Sequence, residues 1–466
     1  MIGIFFMARN KFLNLLHEIR RGDGNRARSM RSAIFVILGF GGQNLIRLGG
    51  NLILTRLLFP EAFGLMALIQ VFLIGLQMFS DIGIDTSIIR DPRAEERDFL
   101  NTAWTMQIIR GGILWGFSCV IAWPAATIYG EPRLMQLIPV AGLAALIHGF
   151  KPTKVALASR NLKIGAQVAS ELTGQTLGLL LMIALTFIWR DVWALVVGGL
   201  LGNILTILLQ RGIVPGQNDK IHWDSDAFSS IFHLGKFIFF GSIAGFLSNQ
   251  GDRVILGGYV TLEQLGIYTV GYTMGSMPFM LVYAASGKIG LPLYRKFPDL
   301  SISESRKKII TYRRLVVFGG FSLSSLLSLA GVPFMDILYD SRYEMSGPIL
   351  ILVCASMVLK IGTSNYEGAY MAHGDGRSHL YLTSVEAGLQ VIILLLGVSY
   401  FGMLGAALAP GITMLLIYPI RSWVVRQYHA WDPMFDTFIM FAGIFVFFTS
   451  VLLWWENMQI FLKWSL

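Results

Sequence analysis

The sequence predicts an all-α polytopic membrane protein: two six-helix bundles, parallel repeats around a central cavity, plus one or more C-terminal helices. Three observations carry this prediction. Apolar runs of about 20 residues, each roughly one bilayer long, follow one another along the whole chain. Hydrophobic residues make up 54% of the chain and charged residues 14%, too few charges to coat soluble domains of this mass. Short stretches also recur in the same order in the two halves. Glu61-Ala62-Phe63-Gly64-Leu65 is echoed by Glu263-Gln264-Leu265-Gly266-Ile267, and Glu171 with Gln175 by Glu386 with Gln390.

Taken in order, residues 1–31 form a basic amphipathic segment suited to a membrane surface. "MIGIFF" is too short for the apolar core of a secretory signal, and Met7 or Met30 could also serve as the start. Spans are predicted at about 32–55, 62–84, 99–128, 134–152, 164–188 and 192–211, giving a first bundle over 32–212. A cytoplasmic linker, 213–228, leads to a second bundle over 229–426. Its spans lie at about 229–252, 264–287, 310–333, 346–371, 379–400 and 402–423. The segment 427–466 adds one more span near 434–455. Pro60 suits the first turn of a helix, and Thr261-Leu262-Glu263-Gln264 has capping-box spacing. Six spans per repeat is an even number, so both repeats enter the membrane in the same sense, the parallel arrangement used by rocking transporters.

Lysine and arginine set the orientation. With the N-terminus inside, 27 of the 37 fall in cytoplasmic segments and six on the far side, leaving Arg47, Arg110, Lys236 and Lys360 within spans. The net charge of +9 is thus mostly a topological signal and does not call for nucleic acid as a partner. Cys119 and Cys354 both lie in apolar runs, and no Cys/His cluster has metal-ligand spacing, so no metal is expected.

Charges inside the bilayer point to function. Gln43, Arg47 and Asn51 follow one another at i+4 on the first span, with Asn44 beside them; Gln70, Gln77 and Asp81 share a stripe on the second. Arg110, Glu171, Lys236, Lys360, Glu367 and Glu386 are buried in the other spans by sequence position. Each such charge facing lipid would cost about 2.5–3.5 kcal/mol, so they must face the bundle interior, one another or water. Lys360 and Glu367, one heptad apart, read as a structural pair, and His148 as interhelical glue. Arg47 has no acid within one turn of its own helix and reads as a cation lining a wet cavity. Tyr268, Tyr272 and Tyr283 read as packing residues.

The stretch "ILTRLLFPEAFGLMALIQVFLIGLQMFSDIGIDTSIIR" (53–90) resembles the polysaccharide-synthesis family of the multidrug/oligosaccharidyl-lipid/polysaccharide (MOP) exporter superfamily. The likeness extends through "ALASRNLKIGAQVASELTGQTLG" (156–178) and more loosely to about residue 426. It implies a flippase for undecaprenyl-pyrophosphate-linked oligosaccharide in the bacterial inner membrane, contributing to lipopolysaccharide or exopolysaccharide synthesis. Family members have twelve or fourteen helices, and thirteen predicted spans match neither count. In that setting Arg47, Gln43, Asn51, Arg110, Lys236 and Lys360 become candidates for the substrate headgroup. Asp81, Glu171 and Glu386 become candidates for proton or sodium coupling, with a glycan polymerase or export machinery as a further partner. A drug exporter of the same superfamily is the nearer alternative. A membrane-embedded glycan polymerase or ligase is the more distant one, because the sequence has no Gly-x-Ser-x-Gly, Walker or His-Glu-x-x-His motif and its outer loops are short.

Overall fold

A computed structural model describes residues 25–80, 83–161 and 163–465; the predicted surface segment before residue 25 and Asp81 lie outside them. The side chains of 25–34, 36, 37 and 232–241, Lys236 among them, are likewise outside the description. The described residues are helical, with no strand. The first helices are α1 (Asn25–Leu57), α2 (Pro60–Phe79), α3 (Ile84–Arg90) and α4 (Arg97–Ile128). They are followed by α5 (Leu134–Gly149), α6 (Lys154–Arg160), α7 (Gly165–Trp189), α8 (Val192–Ile213) and α9 (Ser225–Leu256). Next come α10 (Leu262–Gly275), α11 (Met277–Ala285), α12 (Leu291–Lys296), α13 (Ser303–Leu329) and α14 (Gly331–Leu338). The chain closes with α15 (Ser346–Ser364), α16 (Glu367–Ala372), α17 (Gly376–Arg426), α18 (Pro433–Leu453) and α19 (Trp455–Ser465).

Each predicted span overlaps helix among the described residues, with breaks inside several of them. Among the described residues, seven helices are long and apolar enough to cross a membrane, or nine if two bent pairs each count as one span. Two predicted spans, 379–400 and 402–423, run together as α17. The chain turns at Gly402, whose φ of 53° and ψ of −132° interrupt the helix. The arms then approach at Gly397 and Gly405, where a Cβ on Gly405 would lie 2.0 Å from the Gly397 carbonyl oxygen.

By packing, the described chain divides into two compact units. Among the described residues, the first draws on 25–57, 79–127 and 131–239, and the second on 58–78, 128–130 and 240–465. In the first unit α1 lies close against α7 through glycines. A Cβ on Gly39, Gly42 or Gly50 would fall within 2.9 Å of Val168, Leu172 or Leu179. Between α7 and α8, Gly178 meets the Cα of Gly202, the small-residue approach common in membrane helix pairs. The linker after α8 is laid along the start of α4 by backbone donors: Lys220 to Asn101, Asp224 to Thr102 and His222 to Thr105, at 2.9–3.0 Å.

In the second unit α15 is the buried centre, packed against α10, α13, α17 and α18. Helix α2, early in sequence, also belongs to this unit, and its N-terminal turn meets that of α10. A Cβ on Gly64 would lie 1.9 Å from the Leu262 carbonyl oxygen, and one on Gly266 would lie 2.0 Å from that of Pro60. Each glycine therefore sits on the carbonyl four residues before the other. The two echoed stretches pack on each other as a reciprocal pair, with backbone on both sides and no room for even a methyl group. Thr261 caps α10 in a full capping box with Gln264, whose side chain also donates to the Trp464 carbonyl on α19. Arg342 donates to the Leu58 carbonyl at 3.2 Å and stacks 5.3 Å from the Phe59 ring, fixing the turn that leads into α2.

Candidate functional site

The first unit presents a polar face on α1. Arg47 is exposed and donates to Asn44 Oδ1 at 2.7 Å, with no ion-pairing carboxylate among the described residues. Leu38 and Leu45, 61% and 70% exposed, lie about 160–180° round the helix from it. So α1 has two exposed faces of different chemistry, one leucine and one cationic. A guanidinium within a membrane span is tolerated where water reaches it. Behind this face Glu171 on α7 accepts from Gln43 Nε2 and Gln167 Nε2, each at 3.0 Å, and Gln175 donates to the Gln43 carbonyl at 3.2 Å. The carboxylate is held by amides, with no cation paired to it among the described residues. Asn51, one turn beyond Arg47, has its carbonyl capped by the Thr55 hydroxyl at 2.9 Å. Arg110 on α4 is half-buried and donates from Nε to Ser80 Oγ at 3.0 Å.

The second unit builds a denser site. Glu386 on α17 receives Arg421 Nη2 at 2.7 Å on one oxygen and faces Lys360 Nζ at 3.7 Å on the other. Arg421 and Lys360 are 4% and 8% exposed, so this is a buried triad with two cations on one carboxylate. Arg421 also reaches Thr363 at 3.4 Å, while its Nε is buried without a hydrogen-bond partner. Glu367 stands beside the triad, within the electrostatic reach of Arg421, His379, Glu386 and Lys360.

The predicted Lys360–Glu367 pair is therefore corrected: Lys360 pairs with Glu386. Heptad spacing puts two residues on one face only of a continuous helix. Asn365 and Tyr366 form a turn between α15 and α16, where the Tyr366 N–H bonds to the Thr363 carbonyl and the α-helical ladder is interrupted before Glu367. Of the candidate residues, Gln43 and Glu171 come together in one unit, and Lys360 and Glu386 in the other. Tyr268 is buried as expected, its hydroxyl donating to Asp252 at 3.1 Å, whereas Tyr283 is 52% exposed.

Arg421 was hidden in the sequence by its place in the last turns of a span, where it counts as a cytoplasmic loop cation. The apolar pair Val424-Val425 beyond it, both buried, is the signal that the helix continues past it. Arg313 was hidden in the same way. Among the 27 cations placed on the cytoplasmic side, it lies well inside α13, fully buried, with Nη2 donating to the Gly362 carbonyl at 2.7 Å and to Asp436 on α18. Arg314 beside it is held by two hydrogen bonds to Asp432, at 2.8 and 3.1 Å. These bonds keep Asp432, in the loop before α18, below the usual carboxylate range against the opposing effect of its burial.

Comparison with known proteins agrees with this architecture. Residues 53–348 match the family described as polysaccharide biosynthesis protein. The chain is 21% identical over 381 residues to the succinoglycan biosynthesis transport protein ExoT of Rhizobium meliloti (strain 1021), covering 80% of this chain and 75% of that protein. Its fold is similar to that of the lipid II flippase MurJ in an inward closed conformation. The TM-score is 0.69 at 13% identity, over 92% of this chain and 98% of that one. It is also similar to an inward-facing multidrug resistance MATE family transporter of the MOP superfamily, with a TM-score of 0.61 at 16% identity, covering 83% of this chain and 95% of that one.

Proposed function

The chain belongs to the polysaccharide biosynthesis protein family, and we propose that within it this protein is a flippase for a lipid-linked glycan. The cargo we infer is an undecaprenyl-pyrophosphate-linked oligosaccharide or repeat unit, carried across a bacterial inner membrane by alternating access. The observation that carries this reading is Arg47, a guanidinium on a spanning helix that is exposed, turned away from the leucine face, and paired with an amide. A pyrophosphate is the ligand such a group suits, because the planar guanidinium fork engages phosphate oxygens in bidentate fashion. Gln43, Asn44 and Asn51 give the same face donors and acceptors for sugar hydroxyls. Arg110 adds a second cation to the first unit, and Lys360 with Arg421 forms the basic pair of the second. Lys236 joins this set by sequence position.

Coupling to a proton or sodium gradient belongs to the same proposal. Glu171, whose carboxylate accepts from two amides and pairs with no cation among the described residues, is the candidate in the first unit. Glu386 is already committed to two cations, and Asp81 remains a candidate from sequence. The reciprocal seam at Gly64 and Gly266 joins corresponding turns of the two sequence repeats, and in the topology with the N-terminus inside it lies on the outer face. Alternation requires such a contact to form and part, and a backbone-to-backbone seam without interlocked side chains is suited to that.

In a deletion strain the lipid-linked oligosaccharide should accumulate on the cytoplasmic leaflet, with no change in susceptibility to cationic drugs. Unchanged lipid-linked pools together with heightened drug sensitivity would favour a drug exporter. Unchanged pools with shortened polymer would favour a polymerase.

A further inference from the structure

The C-terminal span has no counterpart in the two six-helix repeats, and sequence pattern ties it to nothing. In the structure α18 is plugged into the break that carries the second unit's charged site. Asp436 on α18 accepts from Tyr366 at 2.6 Å, from Tyr418 at 2.9 Å and from Arg313, and it is 8% exposed. Tyr366 lies in the break itself, 1% exposed, under the Arg313 guanidinium at 4.1 Å from the ring centroid. Its hydroxyl also accepts the Asp432 backbone N–H at 3.2 Å.

The other side of the break is held by the same arginine. Tyr366 N–H bonds to the Thr363 carbonyl, so the Gly362 carbonyl does not receive the bond a continuous helix would give it; Arg313 supplies one at 2.7 Å. Lys360 sits two residues before Gly362, and Glu367 directly follows Tyr366. Both ends of the break are therefore tied, through Arg313 and Asp436, to helices that carry none of the triad residues.

We infer that α18 is a site-positioning element: the Arg313–Asp436–Tyr366 network fixes the α15–α16 break so that Lys360 is delivered to Glu386 and Arg421. The inference rests on the flippase reading for its functional consequence and on the geometry alone for its structural one. It makes Arg313, Tyr366 and Asp436 positioning residues for the second unit's basic pair.

The test uses the full chain, purified and reconstituted, with Tyr366→Phe and Asp436→Asn. Tyr366→Phe removes the hydroxyl and keeps the ring beneath Arg313, so it is the variant that spares the fold. One readout, the rate of Lys360 acetylation followed by mass spectrometry, needs no ligand. It should rise about fivefold in both variants, the factor that loss of one hydrogen bond carries. A second readout is the affinity for undecaprenyl pyrophosphate, expected to weaken by a similar factor in Tyr366→Phe while the variant remains folded. A wild-type Lys360 rate in a folded Tyr366→Phe overturns the inference. A wild-type chain that does not bind the probe overturns the flippase reading instead, while the acetylation rate still decides the positioning role.

Discussion

Gly64→Leu is expected to abolish transport in a chain that still reaches the membrane. The reason is the distance. A methyl group on Gly64 would already stand 1.9 Å from a backbone oxygen of Leu262, and backbone cannot rotate away as a side chain can. The helices α2 and α10 must then part, and overpacking of this kind costs about 1–3 kcal/mol, too little to unfold a chain held elsewhere by extensive helix packing. Its effect falls on the one arrangement in which the two turns touch. Gly266→Leu should behave alike, since its Cβ would meet the Pro60 carbonyl at 2.0 Å. Gly64→Ala should already reduce transport substantially. Complementation of a deletion strain, with expression level and unfolding midpoint measured in parallel, checks this. Wild-type transport by Gly64→Leu would remove the seam from the transport cycle.

The second large effect separates a cation kept for ligand from one kept for structure. Arg47→Ala should leave stability within about 1 kcal/mol of wild type, because an exposed side chain with one amide partner contributes little. Transport should fall at least about tenfold, since a charge-assisted hydrogen bond contributes roughly 1.5–3 kcal/mol. Arg47→Lys should recover part of this, as it keeps the charge and loses the bidentate fork. Arg313→Ala should do the reverse at the level of stability. It leaves Asp436 buried without its cation, and breaking a buried pair costs about 3–5 kcal/mol. Thermal unfolding of the two variants beside transport assays decides the matter. Equal destabilisation by both would mean that Arg47, too, is a structural group.

Much of this fold can be read in the sequence, and the failures have specific causes. The apolar runs locate the helices because a bilayer demands about 20 residues per span whatever the neighbours are. The sequence shows an echo between residues 61–65 and 263–267, but it does not say that the two stretches touch; that depends on how helices pack and becomes visible only in the reciprocal glycine distances. The triad was half legible. Lys360 and Glu386 stand out as charges within apolar runs, whereas Arg421 and Arg313 lie near span ends, where a cation reads as part of the topological charge. The Lys360–Glu367 pairing failed because it assumed one continuous helix through Asn365 and Tyr366, two residues with no proline or glycine to announce a break. The C-terminal span gave no hint of its docking, since Asp436 reads as an ordinary first-turn acid of a helix beginning at Pro433. Arg47 was the most legible of the site residues. Its isolation from any acid on its own helix survives in three dimensions among the described residues: Glu171 is held by Gln43 of α1 and Gln167 of its own helix, while Arg47 bonds Asn44.

We propose that Arg47, the exposed cation on α1, serves a phosphorylated lipid headgroup. Purified protein in sealed vesicles, supplied with a fluorescent undecaprenyl-pyrophosphate-linked oligosaccharide in one leaflet, measures this directly through accessibility of the glycan to an impermeant quencher. Wild type should equilibrate the lipid between leaflets and Arg47→Ala should slow it at least about tenfold, the factor that losing a charge-assisted contact implies. Equal rates for the two, or no crossing of any pyrophosphate-linked glycan by a folded wild-type chain, would contradict the account.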